Sequence, residues 1–563
     1  MQMWPRATIH TPDSPAAHLN LGNALKESGR VDDAIAAYRQ AIGLKADFAE
    51  AHRNLGVALV ARGRLDEAIA AYRAAITIMP GSPEIHANLG LALQSQGNID
   101  EAIAAFLQAI ALQPDNPAGH MRLANALRQK GEIEAAAATY RRVLALKADH
   151  HEAVLNLSNL LYEDGRIEEA IAGYRRAIEL KADFAQAYSN LGNALRDIGR
   201  VDEAIAACRR AIMIMPDLAD GHFNLSLALL LYGQFGEGWQ EYEWRWKGGS
   251  KDLKPRDFKW SRWRGQDLTG KRLLLHAEQG LGDTLQFARF VSILATQCGA
   301  ILLAVQPPLV RLLGLASWPN VTISDGARLS GVDFELPLMS VPFALGTTEA
   351  TIPADVPYLV ADTERVAFWN SRLPQDGFRI GIAWRARPNV PIDRGRSFPL
   401  RCLAPLARLP GVRLISLQKD HALEELKTLP SGMIVETLGP EFDAGPGGFV
   451  DAAAVMMSLD LVISVDTSLA HLAGALGRPV WIALQRVPDW RWLLEREDTP
   501  WYPTARLFRQ RAAGEWDEVF ARMAAELVPV GAGDRAGAFL SPFPSSSKRA
   551  LLASHKSSAR SIA

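Results

Sequence analysis

The first half of the chain repeats itself with a period of 34 residues, and nothing else in the sequence restricts the fold as much. Asn20, Asn54, Asn88, Asn156, Asn190 and Asn224 recur at that spacing, with Arg122 in the one odd place, and a leucine and then a small residue follow each time. A glycine stands nine residues further on in every copy: Gly29, Gly63, Gly97, Gly131, Gly165, Gly199 and Gly233. An aromatic comes nine residues after that at Tyr38, Tyr72, Phe106, Tyr140, Tyr174 and Tyr242, Cys208 being the exception. Ala34, Ala68, Ala102, Ala136, Ala170 and Ala204 are small enough to let two helices approach closely. A unit of this length is a helix, a turn and a second helix, and it buries its apolar face only by stacking on neighbours. The expected product is a curved α-solenoid in which most repeated residues are core or turn positions.

The pattern resembles the tetratricopeptide repeat, in seven copies over residues 13–247. The packing leucine and glycine leave the asparagine before them turned toward the concave face. Asn20, Asn54, Asn88, Asn156, Asn190 and Asn224 would then form a polar ladder. An amide offers a donor and an acceptor together, so such a ladder suits the backbone of an extended peptide. The alternative is that asparagine at this place is only tolerated as an exposed helix residue. The arrangement is similar to the superhelix of the O-linked N-acetylglucosamine transferases, which implies a protein or peptide partner in the groove. The aromatic run Trp239 to Trp246 is expected to cap the open end and join it to the next domain, across a linker at 248–270.

At 563 residues the chain needs more than one core. A net charge of −1 gives no general electrostatic reason to bind nucleic acid or an anionic membrane. No stretch approaches the roughly 18 uninterrupted apolar residues of a membrane span, and the N-terminus lacks a signal-peptide core. The three cysteines, Cys208, Cys298 and Cys402, show neither pairing nor metal spacing. A cytoplasmic location is the simplest expectation.

From Lys271 the pattern changes to alternating strands and helices. Strands are expected at 272–277, 301–305, 378–384, 412–417, 434–438, 461–465 and 480–484. A helix is expected at 284–298, and a final helix at 516–527 is expected to pack back on the first lobe. Two βα sets imply two Rossmann-like lobes facing across a cleft, at 271–361 and 378–530, with a linker helix at 362–377. The serine-rich tail, 531–563, is expected to be disordered.

Two segments carry the chemistry. After the first strand comes Glu278-Gln279-Gly280-Leu281-Gly282-Asp283. The run Leu461 to Val465 reads as a buried parallel strand, followed by Asp466-Thr467-Ser468, suited to cap a helix that contains His471. A strand that stops at a helix N-terminus presents free N–H groups and a positive dipole end, where α/β sheets bind phosphate. These motifs resemble the GT-B glycosyltransferases, most closely the heptosyltransferase-like group, glycosyltransferase family 9, over about 271–511.

The resemblance implies a metal-independent inverting transferase that uses a nucleotide sugar as donor substrate and no cofactor. It places Asp283 where the family has its catalytic carboxylate, with Glu278 or His276 as alternative bases; Asp283 also suits a helix N-cap. Gly280 and Gly282 would turn the backbone and leave room for the sugar. Asp466, Thr467, Ser468 and His471 would face the nucleotide diphosphate, Ser468 standing where the family usually has glycine. Arg394 and Arg396 are candidates for phosphate, Gln418 and Lys419 for base or ribose, and Asp489 and Trp490 for the sugar. The first lobe is short for a complete acceptor lobe, which points to a protein hydroxyl presented by the repeats as acceptor. A surface-glycan acceptor and an inactive protein-binding scaffold are the competing expectations.

Overall fold

The computed structural model describes residues 13–248, 258–326, 330–386, 395–419, 422–445 and 447–527. The chain divides into two compact units, Met1–Gly221 and His222–Ala563.

The first unit is a stack of six helix pairs, from Pro15–Glu27 with Val31–Leu44 to Ala185–Asp197 with Val201–Ile214. The repeat glycines and aromatics explain each other. A Cβ on Gly56 would lie 2.5 Å from the Tyr72 ring, and one on Gly22 equally close to Tyr38, so glycine lets the aromatic slide under the first helix. The second glycine of each copy ends that helix in the left-handed region, as at Gly97 with φ +93°. Ala34, Ala68, Ala102 and Ala136 are fully buried with Tyr38, Tyr72, Phe106 and Tyr140 in one continuous core.

The second unit takes in nearly all of the seventh repeat, Ala219–Tyr232 and Phe235–Tyr242. Trp239 is buried and packs edge-on against Trp490 at 5.2 Å and against Phe287 at 6.2 Å. Tyr242 accepts a hydrogen bond from Gln279 at 2.9 Å. Arg245, wholly buried, pairs with Glu278 at 3.0 Å and Glu243 at 2.7 Å. The aromatic end of the repeats is therefore built into the α/β unit.

That unit holds two parallel sheets. The first contains β1 (Ser261–Arg262), β2 (Arg272–His276), β3 (Ala300–Ala304), β4 (Val321–Ser324) and β5 (Phe334–Pro337) in the order β1-β5-β2-β3-β4. The second contains β6 (Phe378–Ala383), β7 (Val412–Ser416), β8 (Val435–Glu436), β9 (Leu461–Val465), β10 (Val480–Leu484) and β11 (Ala505–Arg509), ordered β11-β10-β9-β6-β7-β8. All five residues of β9 and of β10 are buried, as expected for central strands covered on both faces. The second sheet has the doubly wound order, with β6 as its first strand and a reversal between β6 and β9.

Three expectations need correction. The final helix, Trp516–Leu527, packs its apolar face into the core of the second lobe and not back on the first. Its apolar stripe, Val519, Phe520 and Met523, closes the second sheet against Phe398 and Leu403. The helix expected at 284–298 is broken into Leu281–Phe287, a 3₁₀ turn and Val291–Ala295. There the buried Arg289 side chain bonds the carbonyl of Gln286, at 2.8 Å, and those of Pro353 and Trp501. Strand β1 lies inside the stretch read as linker, so the first sheet starts before Lys271. The tail read as disordered lies outside the described residues.

Candidate active site

In a doubly wound sheet the crevice opens where strand order reverses, at the carboxyl ends of the strands. In the second lobe that is the gap between β6 and β9. Asp466 follows β9 directly, and Arg396 comes from the loop after β6 with Nη1 3.4 Å from the Asp466 carbonyl and 3.9 Å from its carboxylate. The helix Ser468–Ala475 starts here. Thr467 occupies its N-cap position in extended conformation without a side-chain capping bond; its hydroxyl lies 3.1 Å from Ser464 Oγ instead. The Ala470 N–H donates to the Thr467 carbonyl at 3.1 Å, and a helix start without a side-chain cap is a place where anions bind.

His471 sits one turn further in and is buried. Its ring stacks on Trp492 at 5.3 Å, Nδ1 lies 3.0 Å from the Tyr502 hydroxyl, and Nε2 lies 3.8 Å from Asp466. Burial, with Arg491, Arg289 and Arg396 nearby, holds this imidazole well below its ordinary range, so it is neutral near pH 7.

The first lobe brings its own reversal, between β2 and β5, to the same place. Gly280 starts the helix Leu281–Phe287, and Asp283 in its first turn accepts the Gly280 N–H at 2.8 Å. Asp283 therefore reaches back from the third helical position to the N-cap N–H and is not the N-cap itself. A Cβ on Gly282 would meet His471 Cδ2 at 3.0 Å and Ser468 Cα at 3.5 Å. Glycine is needed here for close lobe-to-lobe contact, which corrects the expectation that it makes room for sugar.

The other oxygen of Asp283 pairs with Arg491 of the second lobe, which also pairs with Asp489 at 2.8 Å and donates from Nε to Gln286 at 2.7 Å. Burial pushes the Asp283 carboxyl up while Arg491 pulls it down. Arg396, Asp466, Gln485 and Asp489 line a small crevice beside this bridge.

Other expected site residues are placed differently. His276 is buried with Nε2 2.9 Å from Glu335, and Glu278 is held by Arg245 and the Met339 N–H. Neither faces the crevice as a free base, because each carboxylate or imidazole has an interior partner. Trp490 is packed in an aromatic cluster with Trp239 and Trp501, away from a sugar-binding role. Gln418 accepts the Arg385 N–H at 3.1 Å, and Lys419 donates to the Asp443 carbonyl at 2.6 Å. Arg394 lies outside the described residues. Arg491 escaped the sequence reading, although an arginine between Trp490 and Trp492 was a usable signal.

The asparagine ladder is partly committed to the repeats themselves. Asn54, Asn156 and Asn190 each donate to an asparagine of the preceding repeat, Asn23, Asn125 and Asn159, at 2.9, 3.2 and 2.8 Å. Those acceptors also take the hydroxyls of Tyr38, Tyr140 and Tyr174. Each such amide has spent one N–H on inter-repeat register. Asn20 is exposed and Asn88 half-buried, while Val57 and Leu91 interrupt the second row. Asn224 falls in the second unit.

Asp466 should reveal itself in a pH titration. Burial, with Asp489 nearby, pushes its carboxyl up to about 6, against about 3.9 in an unfolded chain. Between about pH 4 and 6 the folded state keeps a proton that the unfolded state has released, so this stabilising contribution falls as pH rises and is gone above about 6. Asp466→Asn removes the titration, and urea melts should show wild type losing on the order of 2–3 kcal/mol more than the variant across that window. Parallel losses in the two proteins would place the Asp466 carboxyl in its ordinary range.

Residues 408–487, which include Asp466, Thr467, Ser468 and His471, match the model of glycosyltransferase family 9 (heptosyltransferase). Residues 6–83, 88–151, 158–195 and 185–218 match tetratricopeptide-repeat models. The chain carries tetratricopeptide repeats and a glycosyltransferase family 9 domain. Protein FlbA of Caulobacter vibrioides is 30% identical over 320 residues, which is 53% of this chain and 53% of FlbA. The chain thus spans about half the length of the curated relative it matches. Among solved structures it is similar to YrrB, a TPR protein with an unusual peptide-binding site, at 19% identity over 33% of this chain and 96% of YrrB, with a TM-score of 0.30. It is also similar to PilF of Pseudomonas aeruginosa, at 20% identity over 37% of this chain and 94% of PilF, with a TM-score of 0.33. The family 9 match covers the part of the second lobe that holds the helix start after β9, and Asp283, Arg396 and Arg491 lie outside it.

Proposed function

We propose that the second unit transfers a sugar from a nucleotide donor to a protein hydroxyl, by an inverting and metal-independent route, with the repeats holding the protein. The observation that carries this reading is the uncapped helix end after β9, which lies within the segment that matches family 9, at the reversal between β6 and β9, with Arg396 and Arg491 brought to it from outside that segment. The donor diphosphate binds at that helix end. Asp283 takes the acceptor hydroxyl's proton as its oxygen attacks the anomeric carbon and the bond to the diphosphate breaks. The charge left on the diphosphate is met by backbone N–H groups and arginines, already oriented before the reaction. His471, neutral and stacked on Trp492, keeps the helix end in place.

Among the described residues no helix is long and apolar enough to cross a membrane. The acceptor in this reading is a cytoplasmic protein, which the repeats, as protein-binding elements, would select. The heptosyltransferase description of the family model favours one second reading, a surface-glycan acceptor.

The test is a panel of nucleoside diphosphates and nucleotide sugars followed by thermal shift, on wild type and His471→Ala. One nucleotide should raise the melting temperature, and the variant should show a smaller rise from its own baseline. No rise with any nucleotide in folded protein would overturn the donor site. With the donor in hand, mass shifts on proteins support the proposed acceptor, and shifts confined to glycans replace it with the second reading.

A further inference from the structure

Arg491 is the most heavily engaged cation of the crevice, and it is engaged across the two lobes. One guanidinium nitrogen meets Asp283 of the first lobe, another meets Asp489 of the second at 2.8 Å, and the third donates to Gln286 of the first at 2.7 Å. Its side chain is only 9% exposed. The arrangement is held against local cost. Gln286 is fully buried, and having given its oxygen to Arg491 it leaves its amide nitrogen without a partner among the described residues, which costs stability. Two residues on, Leu493 has φ +53° and ψ −172°, a backbone region that side chains rarely occupy. Strain and an unspent donor on either side of one arginine mark a place where the fold keeps a conformation for a reason other than stability.

The neighbours supply that reason. Asp283 follows Gly282, which rests on the N-terminal residue Ser468 of the diphosphate helix and on His471. Arg491 is also among the cations felt by His471 and Asp466. A diphosphate arriving at that helix end comes within reach of the guanidinium. It carries more charge than a carboxylate and accepts the same paired hydrogen bonds.

We propose that Arg491 exchanges partners: it holds Asp283 while the donor site is empty and turns to the diphosphate when donor binds, releasing Asp283 to act as base. This rests on the donor site proposed above and adds a residue to it. A carboxylate bonded to guanidinium is a poor proton acceptor. The exchange therefore ties the base to the presence of donor. It also makes Asp283 and the diphosphate competitors for one cation, which a purely structural salt bridge does not do.

The competition has a sign that can be measured in the full-length protein without any acceptor. Calorimetry with UDP, GDP, CDP, ADP and inorganic pyrophosphate establishes which probe the wild type binds. Asp283→Asn keeps an oxygen for the Gly280 N–H but gives up the charge, so it should bind that probe on the order of tenfold more tightly. Arg491→Gln should bind it on the order of tenfold more weakly, and the double variant should resemble Arg491→Gln. Unchanged or weaker binding in Asp283→Asn overturns the exchange while leaving the donor site standing. Unchanged binding in Arg491→Gln does the same. If wild type binds none of the probes, the donor site and the exchange fall together.

Discussion

Asp283→Asn is expected to lower the transfer rate by about 10²- to 10⁴-fold, the contribution of a positioned general base, with donor still bound. The fold loses one charge partner of Arg491, which keeps Asp489 and Gln286. Asparagine keeps an acceptor for the Gly280 N–H, which closes the first turn of the helix Leu281–Phe287. It removes the carboxylate that burial makes more basic than usual and that sits where the two lobes meet. The loss should therefore appear in kcat, with a donor KM that does not rise and that falls if the partner exchange proposed for Arg491 holds. The measurement is a steady-state assay with the donor found in the nucleotide panel, alongside Glu278→Gln as a comparison. A rate close to wild type in Asp283→Asn would move the base elsewhere.

Arg245→Met is expected to destabilise the second unit by about 3–5 kcal/mol, because it strands the buried Glu278 carboxylate. Arg245 joins the end of the seventh repeat to the loop before Asp283. It donates to Glu278, Glu243, Ser340 and the Tyr242 carbonyl, and its side chain is fully buried. Burial already pushes the Glu278 carboxyl up against the pull of this arginine. Replacing both charges, Arg245→Met with Glu278→Met, should recover much of the loss, since an apolar pair of similar size leaves no naked charge. Thirteen of the fourteen tryptophans lie in the second unit, so urea melts followed by tryptophan fluorescence report on it directly. A single variant as stable as wild type would show that the pair contributes nothing net. A double variant no better than the single would place the cost in Glu243 and Ser340.

Much of this architecture was visible in the residues because it repeats or alternates. The spacing of Asn20, Gly29 and Tyr38, copied down the chain, is a local pattern with a local cause: a glycine under an aromatic, then a glycine in left-handed conformation. Strands β9 and β10 were legible for the same kind of reason, as apolar runs buried on both faces. Strands β1 and β4 escaped the residue pattern. They are short and partly exposed, so they carry neither a continuous apolar run nor a clean alternation.

The site divides along the same line. Asp466, Thr467, Ser468 and His471 were recoverable because a strand, a turn and a helix start are consecutive in the chain, and so was the turn that carries Asp283. Partnerships between distant residues were not. Glu278 and His276 look available in sequence, and only packing shows Arg245 and Glu335 occupying them. Arg491 reads as one charge in an aromatic run until folding brings it across 208 residues to Asp283. Residue pattern was enough for the repeats, the two α/β lobes and the helix end suited to phosphate, since each follows from hydrophobic period and turn chemistry within about 30 residues. Folding had to settle which carboxylate stands at the crevice, which cation holds it and that the seventh repeat belongs to the α/β unit. Those outcomes depend on burial and charge pairing, which exist only once separate segments share the same space.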